Sequence, residues 1–276
     1  MVDNRSYDFC MSFGASCAGA MQMTRRNLRL ASMPFDWVRG ETHEGFLDTM
    51  ARMMRTNFDG WCQYENMGPM DPKYNYPPPT DPMEVRVWDG KQAMGFYHDF
   101  RYDIFAKDGK AYFDGIAARY RRRIERMYDF LARSENVLGI VVAPEGPFPR
   151  EHLAEFKKAL DAVHPGTEYT LYSLAFEAPE DRDWEERGDR IFIRHMKRAL
   201  HSYDFVQTTC EWDFLDKVKL TGKIAPVAVG EGRGKAAAGM PLRYRIYRKL
   251  FMHCKKKLAQ YGAPSHSSGA ASAGGK

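Results

Sequence analysis

Apolar and polar positions alternate along the chain in two rhythms that together predict an α/β protein. Short apolar runs typical of strands are separated by longer segments in which apolar residues recur every three or four positions, as on one face of a helix. The clearest strand covers residues 137–143 and the clearest helix 116–133. Since strands that alternate with helices usually form parallel sheets, we expect a largely parallel sheet with helices on both faces.

The other elements follow from the same rhythms and from the turns that flank them. A short strand around Tyr7 and Phe9 leads into a helix over 18–30, and Pro34-Phe35-Asp36-Trp37 is typical of a packed turn. Further strands are predicted at 85–88, 94–97, 168–174, 205–209 and 224–229, and further helices at 44–56, 150–163 and 190–200. Residues 61–84 contain six prolines and are predicted to form an irregular loop.

Composition changes near residue 231 and divides the chain into four parts. Residues 1–231 carry 31 basic and 36 acidic residues and are predicted to form one α/β domain; 232–276 carry ten basic residues and no acidic ones. Residues 232–240 resemble a Gly/Ala linker, 241–260 a basic amphipathic helix, and 261–276 a disordered tail. The helix either contacts an anionic membrane or packs on the acidic body, and the acidic body argues against nucleic-acid binding.

The cysteine pattern and the start of the chain indicate a cytoplasmic protein. Five scattered cysteines form no C-x-x-C pair, the first residues lack the apolar block of a secretory signal, and no apolar run could span a membrane. We predict no metal site, and no G-x-G-x-x-G or Walker motif points to a cofactor. The expected location is cytoplasmic, with peripheral membrane attachment if 241–260 binds a surface.

Cys17 is the candidate nucleophile because it follows a strand and a small-residue turn and opens a helix. The unpaired backbone N–H groups and the positive dipole end of a helix N-terminus favour thiolate over thiol. The same N–H groups could hold an oxyanion, so Ser12, Gly14 and Ser16 of the turn are candidates for shaping that hole. The alternative is a small buried cysteine in a tight turn.

His98 is the candidate base, since cysteine hydrolases pair the thiol with an imidazole. It follows the predicted strand 94–97, so in a parallel sheet it would meet Cys17 at the carboxyl edge. Asp36 and Glu145 are both candidates for orienting the imidazole, and spacing does not choose between them. The alternative for His98 is an ordinary polar residue at a strand end.

Three further residues are candidates for substrate contacts, each with a structural alternative. Trp37 lies in the turn after the nucleophile helix, and Asp99 follows His98. Arg122 belongs to an arginine-rich helix whose basic face is more simply explained as solvated.

Four sequence blocks, taken together and in this order, resemble the bacterial papain-like cysteine peptidases, a family of otherwise unknown function. They are Ser12-Phe13-Gly14-x-x-Cys17-x-x-Ala20, Pro34-Phe35-Asp36-Trp37, Tyr97-His98-Asp99-Phe100 and Arg119-Tyr120-x-Arg122-Arg123-Ile124-x-Arg126. The resemblance implies Cys17 as nucleophile and His98 as base, and it offers a papain-like α+β fold as the alternative architecture. Members also look similar to proteins encoded among surface-polysaccharide genes.

Three functions are therefore compatible with the sequence. The first is a thiol hydrolase or acyltransferase acting on a peptide, amide or ester bond, including one linked to a glycan. The second is a non-catalytic binding protein of a glycan-assembly pathway. The third is a sugar-nucleotide transferase, against which the missing phosphate-binding motifs count.

Overall fold

The computed structural model describes residues 5–14, 17–40, 43–69, 84–143, 147–176, 184–196 and 210–227. The predicted linker, basic helix and tail at 232–276 lie outside the described residues. So do Ser16, Glu145 and the predicted strand at 205–209.

The described part of the chain contains strands, α-helices and short 3-10 helices. The strands are β1 (Ser6–Tyr7), β2 (Phe9–Ser12), β3 (Val38–Gly40), β4 (Met67–Pro69), β5 (Glu84–Asp89), β6 (Met94–Arg101), β7 (Asn136–Ala143), β8 (Glu168–Phe176), β9 (Trp184–Gly188), β10 (Ile191–Met196) and β11 (Lys219–Leu220). The helices are α1 (Ala18–Arg25), α2 (His43–Arg55), α3 (Tyr102–Ala132) and α4 (Arg150–Val163), with 3-10 helices at Tyr64–Asn66 and Cys210–Lys217. The backbone of α3 breaks at Gly109, where two helical segments join across a kink.

A five-stranded sheet in the order β2-β7-β8-β10-β9 forms the centre of the described fold. Its first four strands run parallel, and β9 pairs antiparallel with β10 at the edge. The interior strand β7 is buried along nearly its whole length because both faces of the sheet are covered. Val137 and Val141 pack in the core with α2, α3 and α4, and Leu138 and Ile140 pack in a second core with α1 and the 3-10 helix Cys210–Lys217.

A second, antiparallel sheet in the order β3-β6-β5-β4 carries part of the candidate site. Its inner face joins the larger core through Met94, Phe96 and Phe100 of β6. A two-stranded parallel pair, β1 with β11, completes the described sheets. The structure is thus a mixed α/β fold, and the expectation of a largely parallel sheet is not confirmed, because one sheet is mixed and another antiparallel. The papain-like alternative stays compatible with this architecture.

Several predicted elements are confirmed and two are wrong. The helices at 44–56 and 150–163 and the strands at 85–88, 137–143 and 168–174 all appear, with small shifts in their ends. The helix predicted at 116–133 is the C-terminal part of α3, which begins at Tyr102, and the strand predicted at 94–97 continues to Arg101. The helix predicted at 190–200 is instead β10, whose Ile191-Phe192-Ile193 run is buried between β8 and β9. The predicted strand at 224–229 has no strand in its described part, 224–227.

Helix α1 is shorter than predicted and ends at Arg25. Asn27 adopts a positive φ of 57°, a left-handed conformation that asparagine tolerates at helix ends. None of the helices in the described part of the chain combines the length and the apolarity needed to cross a bilayer.

Candidate active site

Cys17 lies after strand β2 and directly before helix α1, as the sequence predicts. The residue directly precedes the first residue of α1, has φ −64° and ψ −14°, and is partly buried. Its carbonyl accepts the backbone N–H of Met21 at 3.0 Å, which closes the first helical turn. The Cys17 side chain therefore sits at the positive end of α1, where backbone N–H groups lack helical partners.

The turn that presents Cys17 is fixed by close packing around Gly14. This residue has a φ of +69°, and a Cβ there would lie 2.7 Å from Cζ of Phe46 and 3.0 Å from the carbonyl oxygen of Val38. Its carbonyl accepts the N–H of Val142 at 3.1 Å, and its own N–H donates to Oγ of Ser12 at 3.3 Å. Ser12 is buried, so its described role is to hold the turn. A side chain at position 14 would disturb the approach to the nucleophile.

His98 lies inside β6, not after a strand end as predicted, and it does so at an irregularity of the sheet. β6 pairs with β5 at Phe96 and Val87, and the next pair is Phe100 with Val85. Three residues of β6, with His98 at their centre, therefore lie opposite a single residue of β5. A bulge of this kind redirects side chains and is common next to active sites. Here it leaves the His98 side chain 33% exposed although the residues after it are buried.

The structure brings Cys17, His98 and Glu84 together. The thiol of Cys17 lies within hydrogen-bonding reach of the imidazole, and Nδ1 of His98 lies 3.4 Å from Oε1 of Glu84. Since Nδ1 faces the carboxylate, Nε2 is the nitrogen left for the thiol. A thiol, an imidazole and a carboxylate in this order form the arrangement by which a base activates a nucleophile and a third group orients the base.

The electrostatics of His98 favour its charged form. Burial acts to lower the pKa of His98, but the hydrogen bonds and charges of Cys17 and Glu84 outweigh it and raise the pKa to about 9. At neutral pH the imidazole is therefore an imidazolium. This state is the natural partner of a thiolate at Cys17.

Glu84 was not among the residues predicted from sequence. It is the first residue of β5 and pairs with Arg101 across the sheet, two positions beyond the bulge. Its side chain is 15% exposed. A sequence signal did exist, because Asp89-Gly90 at the end of β5 is typical of a hairpin turn and predicts that β5 lies beside β6, which carries His98.

Asp36, one predicted orienting residue, is instead bound to an arginine. Its Oδ2 accepts hydrogen bonds from Nη2 of Arg29 at 2.5 Å and Nε of Arg29 at 3.1 Å, and from the N–H of Met33 at 2.8 Å. Both side chains of this ion pair are at least 93% buried. The carboxylate of Asp36 thus fixes the turn before β3, and Glu84, not Asp36, lies beside His98. The other predicted orienting residue, Glu145, lies outside the described residues and stays a prediction.

Trp37 follows that turn and meets His98 directly. The two rings are perpendicular, with centroids 5.5 Å apart, so Trp37 supports one edge of the imidazole. The guanidinium of Arg29 lies 5.7 Å from the Trp37 ring centroid. Trp37 therefore contacts the candidate base, and its predicted contact with a substrate stays a prediction.

The other two predicted substrate contacts lie elsewhere. Asp99 is buried and accepts hydrogen bonds from the Tyr120 hydroxyl at 2.6 Å and from Nη1 of Arg119 at 3.2 Å, so it ties β6 to α3. Arg122 is exposed on α3, which agrees with the solvated basic face considered for it. Neither position in the structure indicates contact with a substrate at Cys17.

The other described cysteines differ from Cys17 in their surroundings. Cys10 and Cys62 are buried, and burial raises the pKa of both. For Cys62 the charges of Asp89 and Asp99 add to this effect, and the pKa reaches about 12. These two thiols stay protonated at neutral pH, which leaves Cys17 as the described cysteine suited to nucleophilic chemistry.

Within the described part of the chain, no group of three or more His, Cys, Asp or Glu side chains is arranged to hold a metal ion. A cavity of about 590 Å³ lies beside α3, with Phe58, Trp61, Tyr120 and Tyr128 in its walls. Neither Cys17 nor His98 lines it. The thiol–imidazole pair is therefore a separate feature of the surface.

Comparison with known proteins agrees with this geometry. Residues 8–162, more than half of the chain, match the family described as "Putative papain-like cysteine peptidase". The chain belongs to this family, and the matched region contains Cys17, Glu84 and His98.

One curated relative is "Uncharacterized protein R408" of Acanthamoeba polyphaga mimivirus, which is 22% identical over 137 residues. The match covers 47% of this chain and 59% of the relative. The relative is viral, so a bacterial origin is not shown for this chain. No solved structure matches the chain.

Proposed function

We propose that the protein is a cysteine-dependent hydrolase that cleaves a peptide, amide or ester bond through a thioester at Cys17. The observation that carries this proposal is the contact of Cys17 with His98. Nδ1 of His98 faces Glu84, and the pKa of His98 is raised to about 9. Membership of the papain-like family supports hydrolase-type chemistry at the thiol.

The geometry suggests the following order in which bonds form and break. The thiolate of Cys17 attacks the carbonyl carbon of the substrate, and the negative charge moves to the carbonyl oxygen. This oxygen is stabilised by backbone N–H groups at the start of α1. His98 then gives its proton to the leaving amine or alcohol as the carbon–nitrogen or carbon–oxygen bond breaks, which leaves an acyl group on the sulfur.

Hydrolysis of the thioester completes the cycle. Neutral His98 takes a proton from a water molecule, the resulting hydroxide attacks the thioester carbonyl, and the thiolate leaves. The carboxylic acid product is released, and the thiolate–imidazolium pair of the free enzyme is restored. Through both steps the Glu84 carboxylate interacts with Nδ1 of His98, which orients the imidazole and stabilises the imidazolium.

Acyl transfer to another acceptor would use the same first half of the cycle. If a hydroxyl or amine of a glycan replaced water, the protein would be an acyltransferase, and a role in surface-polysaccharide metabolism would follow. The partly exposed imidazole favours water as the acceptor, so hydrolysis is the function we propose first. The binding-protein alternative predicts no covalent intermediate.

The test uses an activated aryl ester and mass spectrometry of the digested protein. We expect a burst of the aryl alcohol and acylation of the peptide that contains Cys17. Cys17→Ala should abolish both and His98→Gln should weaken both, while Cys62→Ala, which removes a buried thiol, should leave both unchanged. Acylation that persists in Cys17→Ala, or none in a folded wild type, would contradict the proposal.

A further inference from the structure

Two neighbouring residues of β6, His98 and Asp99, lie on the opposite faces from those that a regular strand would give them. Alternate residues of a strand share a face, so His98 would lie on the face of Phe96 and Phe100, which belong to the core. Instead Asp99 is buried, and the His98 side chain is 33% exposed. An aspartate therefore takes the interior position that regular alternation would give to the histidine.

The backbone pairing of β6 is interrupted at these two residues. In the described strands, β6 pairs with β5 at Phe96 and next at Phe100, with a register shift between them. On the side of β3, the described backbone hydrogen bonds reach Tyr97, whose N–H donates at 3.4 Å. His98 and Asp99 lie beyond the last of these contacts and before the ladder resumes. The direction of their side chains therefore depends on what each side chain contacts.

Helix α3 holds Asp99 by hydrogen bonds to both its side chain and its backbone. The hydroxyl of Tyr120 donates to Oδ2 of Asp99 at 2.6 Å, and Nη1 of Arg119 donates to Oδ1 at 3.2 Å. The hydroxyl of Tyr112 donates to the carbonyl oxygen of Asp99 at 3.0 Å. The Tyr120 ring also packs against Phe96, with centroids 5.1 Å apart. Tyr120 thus contacts β6 both before the bulge and within it.

We propose that Asp99 is a positioning residue for the candidate base: the hydroxyls of Tyr120 and Tyr112 hold Asp99 toward the interior and thereby keep His98 turned toward Cys17. The inference rests on the proposed function, because Asp99 has this task only if His98 serves Cys17. A buried carboxylate is costly unless it is hydrogen-bonded, so the two hydroxyls favour the bulged arrangement of β6 over the regular one. When either hydroxyl is lost, the bulge is less firmly held and the imidazole moves away from its partners.

The experiment compares Tyr120→Phe with Tyr128→Phe, a matched change on the same helix. Tyr120→Phe removes the hydroxyl that binds Asp99 and keeps the ring and every charge. Tyr128→Phe removes a hydroxyl that donates to a backbone carbonyl of α2 at 2.9 Å, away from Asp99. Two quantities are measured in each variant: the rate at which iodoacetamide alkylates Cys17 at pH 7, and the NMR titration midpoint of His98.

We expect Tyr120→Phe to slow alkylation by about tenfold, since a misplacement of about 1 Å can cost about a hundredfold in rate. The charged groups that face His98 are Cys17 at the start of α1 and Glu84 of β5, and both raise its pKa. Weaker contact with them should lower the His98 midpoint from about 9 by about one pH unit. Because no charge is removed, the shift reports position. Tyr128→Phe should equal wild type in both measurements, even where its urea unfolding shows a loss of stability.

The outcomes also distinguish this inference from the proposed function. A folded Tyr120→Phe with a wild-type alkylation rate and midpoint overturns the inference alone, and so does an equal fall of both in Tyr128→Phe. If Tyr120→Phe does not fold, Tyr112→Phe decides: this half-buried tyrosine also binds Asp99, and wild-type values there overturn the inference. If His98→Gln leaves the alkylation rate unchanged, the proposed function fails and the inference fails with it.

Discussion

Replacing Glu84 by glutamine tests whether this carboxylate raises the pKa of His98. The change keeps the size and hydrogen-bonding capacity of the side chain but removes its negative charge. Glu84 lies 3.4 Å from Nδ1 of His98 and, with Cys17, accounts for the rise of the pKa from 6.5 to about 9 against the opposing effect of burial. An opposite charge at this range typically moves a pKa by about one to three pH units.

We therefore expect the titration midpoint of His98 to fall by at least about one pH unit in Glu84→Gln. The sign follows from charge, because the glutamate favours the imidazolium and its loss lets the proton leave at lower pH. The assay is NMR of protein labelled at the histidine ring carbon, with the His98 signal identified by its absence in His98→Gln. Alkylation of Cys17 between pH 7 and 9 should slow in parallel, since fewer molecules hold the thiolate–imidazolium pair.

A matched control is Glu65→Gln, which removes an exposed glutamate from the 3-10 helix Tyr64–Asn66. It should leave the His98 midpoint near 9, and Glu84→Asp should give an intermediate value. A His98 midpoint in Glu84→Gln equal to that of wild type would refute the role given to Glu84. The orienting residue would then have to be sought among other groups, Glu145 included.

Three other predictions concern stability, measured by urea unfolding. Asp36→Asn leaves the buried guanidinium of Arg29 without its anion and should cost about 3–5 kcal/mol; a cost near zero would mean that the pair is not maintained. Gly14→Ala puts a methyl group 2.7 Å from Phe46 at a positive φ and should cost about 1–3 kcal/mol, and an unchanged midpoint would disprove the steric argument. The raised pKa of His98 stabilises the fold fully below about pH 6.5, and this contribution should disappear as pH rises through about 9, a loss absent from His98→Gln.

The position of Cys17 at the start of a helix could be predicted from sequence because the signals for it are local. In the sequence a short apolar strand, three small residues and a helix follow each other within about twenty positions, and the structure has β2 before and α1 after those small residues. The helices at 150–163 and 44–56 were equally visible, since their apolar faces repeat at helical spacing. Where one segment determines its own structure, the pattern of apolar and polar residues in that segment was sufficient to predict the structure.

The carboxylate partner could not be found in the same way because it depends on a bulge. If the regular pairing that begins at Asp89 and Met94 continued, His98 would lie opposite Val85 and face the core. The observed pairing gains two residues in β6, which turns His98 toward Cys17 and Glu84. No periodicity of apolar and polar residues in the sequence predicts where such an irregularity occurs. The local sequence signal for the antiparallel pairing of β5 with β6 is Asp89-Gly90, a pair that is typical of hairpin turns.

The arginine-rich helix shows a different limit of sequence patterns, which is that they do not predict which charged residues of a helix are enclosed. Charged residues along a helix usually face solvent, and Arg122 does so. Arg123, one position further, is only 11% exposed, with its guanidinium carbon 4.7 Å from the Tyr120 ring centroid and Nη1 3.9 Å from Oδ1 of Asp99 on β6. A helix can enclose an arginine when a distant segment supplies an anion. Such a pairing involves two segments far apart in the chain and is invisible to any window of sequence.

The site is assembled from elements with different structural origins. Cys17 follows β2, the edge strand of the mixed sheet, and His98 and Glu84 belong to the antiparallel sheet. Within the described residues no strand of one sheet pairs with a strand of the other, so the distance from thiol to imidazole is set by side-chain packing in the core that the two sheets share. Substitutions in that shared core should therefore alter Cys17 reactivity while the secondary structure stays intact, and substitutions within either sheet should affect stability first.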